Sequence, residues 1–354
     1  MIPVESRPPV RRRFTRAAEL TGVIALMLAT PLLIRAVNVA AEAQPSRLPY
    51  LPAFEGRREA EFAAYRIPQL QQLNPGYVVI GDSMAGSRID ERVLSALSRR
   101  PVAPLLQAGS GPAFWYLALK NWVIASGVRP RVVFVFFRDT NLTDPLFRLD
   151  EGFRWSLGYV AGDREDELNA IVQSRLEGPW FRLHGALERL YTADRARRWI
   201  EPALTAWPSH AITASRRRRA QFMVDMNARF GLDHLRKMEA ADMAAAVATD
   251  FSAEVDRSVL PLMLRDASRE RLTLCFVRVQ RRPVGGRPPE QPPALQAYVA
   301  DLRRYVEARG HLFHDDTGDP ALTLDMYDDG DHVSRQARPR YTRNFYERLG
   351  HLFR

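Results

Sequence analysis

Four short stretches of the 354-residue chain carry side chains that could act together on a carbonyl group. Gly81-Asp82-Ser83 closes the apolar run "YVVI" and opens a stretch with helical spacing. A serine hydroxyl is a weak nucleophile until a base takes its proton. "YDDGDHVS" supplies such a base in His332, with Asp329 three residues before it. That spacing lets Asp329 hold the imidazole while His332 accepts the serine proton. An anion forming on the attacked oxygen then needs hydrogen-bond donors. The backbone N–H of Ser83 is one. "QAGSG" (107–111) offers a second, from Gly111 or its competitor Gly109, because glycine lets a backbone N–H come close to a substrate oxygen. "RDTN" (138–141) offers a third, the side-chain amide of Asn141.

Each stretch also has a plainer reading. Asn141 could be a helix cap or a turn former. Asp325, Asp328, Asp329 and Asp331 could form a solvated acidic turn, or hard oxygen ligands for a cation. The expectation is that the catalytic assignment holds and that no metal or cofactor is needed.

The elements around these stretches favour that assignment. "YVVIG" (77–81), "VAPLLQAG" (102–109), "RVVFVFFRD" (131–139), "RLTLCFVRV" (271–279) and "HLFHDD" (311–316) read as strands, with Pro104 marking an edge. Helical spacing is expected over "REAEFAAYRIPQLQQL", "RIDERVLSALSRR", "AFWYLALKNWVIASG" capped by Gly127, "ALQAYVADLRRYVEARG" capped by Gly310, and "ARPRYTRNFYERLGHLF". Strands alternating with helices predict a parallel sheet with helices on both faces. In such a sheet, ligand-binding groups gather at the carboxyl ends of the strands. All four stretches fall there or in loops. The aromatic residues Phe114, Trp115, Tyr116 and Trp122 are read as helix packing on the sheet, with sugar stacking as the competing reading.

These blocks resemble the SGNH, or GDSL-type, hydrolase superfamily over residues 77–145 and 270–345. Its members carry a Gly-Asp-Ser block, a glycine block, an asparagine block and a C-terminal Asp-x-x-His. The resemblance implies a flavodoxin-like α/β three-layer sandwich with a central parallel sheet. It implies Ser83, His332 and Asp329 as catalytic residues and Ser83, Gly111 and Asn141 as the oxyanion hole. The third block departs from the usual Gly-x-Asn-Asp: here it is Asp139-Thr140-Asn141-Leu142. The resemblance further implies O-acyl transfer, chiefly acetyl, onto an exported or cell-surface polysaccharide. The acyl donor would be delivered by a polytopic membrane protein. An esterase acting on the same polymers, or a silent glycan-binding scaffold, are the alternatives.

Composition fits a globular protein. Hydrophobic residues make up 46% and charged residues 26%, enough apolar surface for a sizeable core. The net charge of +10 comes almost wholly from arginines spread along the chain, so it is not read as a nucleic-acid surface. Arg216–Arg219 is the densest basic patch and reads as a solvated helix face. Cys275 is the single cysteine, which excludes an internal disulfide and a cysteine zinc site.

At the N-terminus, five arginines in residues 1–16 precede an uncharged run from Leu20 to Ile34. A helix over 17–35 would be about 28 Å long, close to the hydrocarbon thickness. The arginines predict a cytoplasmic N-terminus and a periplasmic remainder, anchored by a single pass in a bacterial inner membrane. A cleaved signal peptide ending at Ala41-Glu42-Ala43 is the rival reading. The expected organisation is a basic tail (1–16), an anchor (17–40), a linker and helix (41–75), a first part of the α/β domain (76–149), a helical insertion (150–268) and a second part (269–354).

Overall fold

Runs of β-branched and aromatic residues too short for a helix become the strands. They are β1 (Tyr77–Gly81), β2 (Val102–Leu106), β3 (Val132–Phe137), β4 (Leu274–Arg278) and β5 (Leu312–Asp315). In this computed structural model, residues 19–26, 29, 47–48, 60–149, 153–175, 249–283, 287–328 and 330–353 are described. The strands form one parallel sheet in the order β2-β1-β3-β4-β5. Every residue of β1, β3 and β4 is buried, whereas β2 and β5 at the edges are partly open. Pro104 is exposed on edge strand β2, where a missing N–H costs no inner ladder bond.

Side chains of a strand alternate between faces, so a strand buried throughout must be covered on both. Tyr77, Val79, Val132, Phe134, Phe136, Cys275 and Val277 point to one face. They pack there with residues of three helices: α2 (Ser83–Arg88), α3 (Glu91–Ser98) and α8 (Arg338–Arg348). Phe134 meets Phe345 of α8 edge-on at 5.2 Å between ring centres. Val78, Ile80, Val133 and Val135 face the other way and are equally buried. On that side α4 (Pro112–Ala118) packs on β1 and on α6 (Leu260–Arg269), and α7 (Pro293–Glu307) packs on β5. Phe114, Trp115, Tyr116 and Trp122 are all buried, as helix packing on the sheet requires. The Cys275 thiol is buried in the core, and burial pushes its pKa up.

Three expected helices differ from the sequence reading. The one before β1 forms only as α1 (Arg66–Leu73). A longer helix would hold Pro68 in its interior, and starting at Arg66 leaves it in the first turn, where no N–H is needed. The stretch after β1 is two helices, because the Asp90 carboxylate accepts from the N–H groups of Arg92 and Val93, both at 3.1 Å, and starts α3 afresh. The helix after β2 passes from α4 into a π-helical turn at Leu119–Ile124 before Gly127 ends it at φ +71°.

The ends of the expected insertion that are described are helical. Asp166–Arg175 forms α5, and Leu260–Arg269 is the helix that leads into β4. Residues 47–175 and 249–353, where described, belong to one unit. The remainder of the insertion, Arg216–Arg219 included, lies outside the described residues. Residues 19–26 and 29, part of the expected anchor, are helical and belong to a second unit, with Leu20, Val23, Ile24 and Leu26 exposed. Among the described residues no helix is long and apolar enough to cross a membrane. The rest of 17–40 is not described.

Candidate active site

The chain runs from β1 out to edge strand β2 and then returns past β1 to β3. The sheet therefore reverses its winding between β1 and β3, and in open α/β sheets the carboxyl ends at such a reversal are where ligands bind. The register pairs Ile80 with Val135 and Phe137 with Arg278, so the ends of β1, β3 and β4 lie almost level. Two of the candidate stretches, Gly81–Ser83 and Arg138–Asn141, leave the sheet at this reversal.

Ser83 is the first residue of α2. Its own N–H belongs to the first turn and has no intrahelical acceptor. Asp82 is the N-cap, accepting from the Met84 N–H at 2.8 Å. Burial pushes the Asp82 carboxyl above its usual range, against the pull of that N–H and of the charges on Arg138 and Arg88. Gly81 is needed for space: a Cβ there would stand 2.6 Å from the Ala85 side chain. At the far end of α2, Arg88 is fully buried. It donates to the Gln280 carbonyl at 2.7 Å and lies over the rings of Tyr327 and Tyr341.

His332 arrives from a turn near the C-terminus. Its Nε2 is 2.9 Å from the Ser83 Oγ, across 249 residues of sequence. The turn is closed by an antiparallel bridge between Tyr327 and Val333 and by the Asp328 N–H donating to the His332 carbonyl at 3.0 Å. The Val333 N–H donates to the Ser87 hydroxyl of α2 at 3.3 Å. Asp329 lies outside the described residues.

The glycine block follows β2. Gly109 adopts φ +69°, a left-handed conformation suited to glycine. Gly111 is the N-cap of α4, and a Cβ there would meet the Phe147 carbonyl oxygen at 2.5 Å. Both positions thus require glycine, for different reasons. Ser110 between them donates to the Gly81 carbonyl at 3.3 Å, which ties this block to the end of β1.

The asparagine block follows β3. Asn141 Oδ1 accepts from the Arg138 N–H at 3.0 Å, and the Asn141 N–H returns a bond to the Arg138 carbonyl at 3.0 Å. The acceptor side of the amide is therefore occupied, and its two N–H groups are what it can offer a substrate. Asp139 stands where the resembled pattern has glycine, and its φ of +46° is left-handed. Aspartate is among the few residues that tolerate this conformation, at a cost of about 1 kcal/mol. Its carboxylate is buried between Arg278, at 3.1 Å, and Arg281, at 2.5 Å. Asp139 thus holds a conformation that glycine would adopt without that cost.

Sequence reasoning missed a set of charges behind these residues. Asp331, next to His332, accepts from the Arg138 guanidinium at 2.7 Å and from the Arg282 N–H at 2.9 Å. Burial works against its charge, but Arg138, the Arg282 N–H and Arg281 hold its carboxyl below the usual carboxylate range. The signal in the sequence was the run of aspartates, which also suggested a cation site. Asp331 instead binds arginine, and Asp325 pairs with Arg340 at 2.9 Å. Among the described residues no group of three or more potential ligands is placed to hold a metal. His311 is buried and accepts from the Leu274 N–H at 3.3 Å, and His314 pairs with Asp316 at 2.9 Å. Both serve the scaffold.

No protein-family model matches the chain, and no curated protein matches it.

Proposed function

We propose that this protein is a serine-dependent acyltransferase that works through an acyl-serine intermediate. The observation that carries the proposal is the 2.9 Å approach of His332 Nε2 to Ser83 Oγ where the sheet reverses its winding. In the first step the Ser83 oxygen bonds to the carbonyl carbon of an ester and its proton passes to His332. The negative charge that forms on the carbonyl oxygen is met by donors from the Ser83 N–H, the Gly111 N–H and the Asn141 amide. The intermediate collapses, the C–O bond to the leaving alcohol breaks, and His332 returns the proton to that alcohol. A second hydroxyl then attacks the acyl-serine by the same steps in reverse. Asp329 is assigned to orient His332.

The resemblance to SGNH-type proteins extends the proposal to substrate and place. The acyl group is acetyl and the acceptor is a hydroxyl of an exported polysaccharide. A polytopic membrane protein delivers the donor, and residues 17–40 anchor the chain in a bacterial inner membrane. The esterase reading differs only in using water as the second nucleophile.

The test uses the full chain in detergent, with release of acetate from a chromogenic ester as the readout. Activity is expected in the wild type, with loss in Ser83→Ala and in His332→Ala. Equal activity in all three would overturn the serine assignment. Adding oligosaccharide acceptors then separates the two readings, since a transferase forms acetylated sugar at the expense of free acetate.

A further inference from the structure

Arg138 touches both halves of the candidate machinery. Its main chain brackets Asn141: the N–H binds Oδ1 at 3.0 Å and the carbonyl accepts the Asn141 N–H at 3.0 Å. Its side chain crosses 193 residues of sequence to the Asp331 carboxylate at 2.7 Å. The other oxygen of Asp331 is taken by the Arg282 N–H at 2.9 Å, so the carboxylate is gripped on both sides. The next residue is His332, whose Nε2 faces Ser83. Side-chain exposure is 15% for Arg138 and 2% for Asp331, so water screens this pair poorly.

We propose that Arg138 is a positioning residue that sets the base and the oxyanion donor in register, through the Asp331 carboxylate on one side and the Asn141 amide on the other. The physical reason is the character of the histidine turn. It is irregular chain with one short bridge, and such a turn does not place a ring to a fraction of an ångström unaided. A buried carboxylate that accepts on both oxygens, with one of those bonds from a guanidinium, can. Arg138 follows a fully buried central strand, so the clamp refers the turn back to the buried centre of the sheet. The inference rests on the serine reading of the preceding section.

The test is the rate at which a fluorophosphonate labels Ser83 in the full chain, read beside the melting temperature. Wild type, Arg138→Met, Arg138→Lys, Asp331→Asn and the Arg138→Met/Asp331→Asn double variant are compared. A displaced base slows covalent attack, and a misplacement near 1 Å costs about 10²-fold. Arg138→Met and Asp331→Asn should each slow labelling by about that factor, with saturation by the phosphonate little changed. Arg138→Lys, which keeps a cation at the carboxylate, should recover most of the rate. Both singles break the buried ion pair and should melt lower. The double variant removes both charges and should regain melting temperature while still labelling slowly. That separation is what a merely structural pair would not produce. Labelling that recovers together with stability in the double variant would overturn the inference. So would wild-type labelling in Arg138→Met. Wild type that fails to label at all would instead overturn the serine reading, and the inference with it.

Discussion

Ser83 and His332 meet at 2.9 Å, yet the two turns that carry them are built differently. The serine turn is local. A buried strand ends at Gly81, Asp82 caps the next helix, and Ser83 opens it, all within three residues. The histidine turn is held from a distance: Asp331 by Arg138 and Arg282, and Val333 by Ser87. The serine's place should therefore depend on backbone shape and space, and the histidine's place on charge. The variants that follow separate these two kinds of support.

The largest effect is expected at the two candidate reacting groups, Ser83 and His332. Ser83→Ala and His332→Ala should each lower ester turnover by about 10⁴- to 10⁶-fold. Both residues are only half-buried, so neither change should move the melting temperature by more than a few degrees. A steady-state assay beside a melting curve checks this. A residual rate within tenfold of wild type in either variant would remove that residue from the mechanism.

Next comes the charge that supports the β3 turn. Asp139→Gly relieves a left-handed aspartate but takes from buried Arg281 its carboxylate partner and leaves buried Arg278 with Asp315 alone. The lost pairing outweighs the relief, so a net destabilisation of about 3 kcal/mol is expected from denaturant unfolding. A gain in stability would mean that backbone strain, not charge, dominates there.

Space at the serine turn ranks third. Gly81→Ala places a methyl 2.6 Å from the Ala85 side chain and 3.3 Å from that of Phe136. α2 must shift, at about 1–3 kcal/mol. Because α2 carries Ser83, phosphonate labelling should slow as well. Unchanged labelling would show that the helix moves without carrying its first residue off line.

The smallest effects separate the turns by the sign of their pH dependence. The Asp331 carboxyl lies below its unfolded value. Its contribution is present above the unfolded pKa, about 3.9, and is lost as pH falls through the lower folded value. The Asp82 carboxyl is raised. Its contribution is full below about pH 3.9 and is lost as pH rises through the higher folded value. At neutral pH, Asp331→Asn should therefore destabilise, with the penalty shrinking as pH falls below about 4. Asp82→Asn should be neutral or stabilising at pH 7, since asparagine caps a helix as well as aspartate does. Unfolding curves at pH 3.5 and pH 7 check both signs.

The strands were legible because a sheet covered on both faces demands unbroken apolar runs, and few other elements of that length do. Ser83 was legible for a related reason: Gly-Asp-Ser after such a run spells a strand end, a cap and a helix start. The helix limits were less so. Asp90 restarts a helix by accepting two N–H groups, and that act overrides an apolar stripe that looks continuous. In the third block the residue types pointed away from the pattern, because sequence shows that glycine is missing but not that the aspartate there is left-handed.

Local chemistry thus determined the elements, the edge at Pro104 and the identities of the candidate nucleophile and base. Tertiary structure alone decided which aspartates serve which arginines. Asp331 lies within a run that could bind a cation, cap a turn or pair with arginine, and nothing in its neighbours chooses. The choice falls to Arg138, 193 residues away: parallel strands deliver the ends of β3 and β4, and with them Arg138 and the Arg282 N–H, to the same end of the sheet, and the turn beyond β5 brings Asp331 to both. Buried there, a carboxylate or a guanidinium without a partner would be costly, and pairing the two offsets part of that cost.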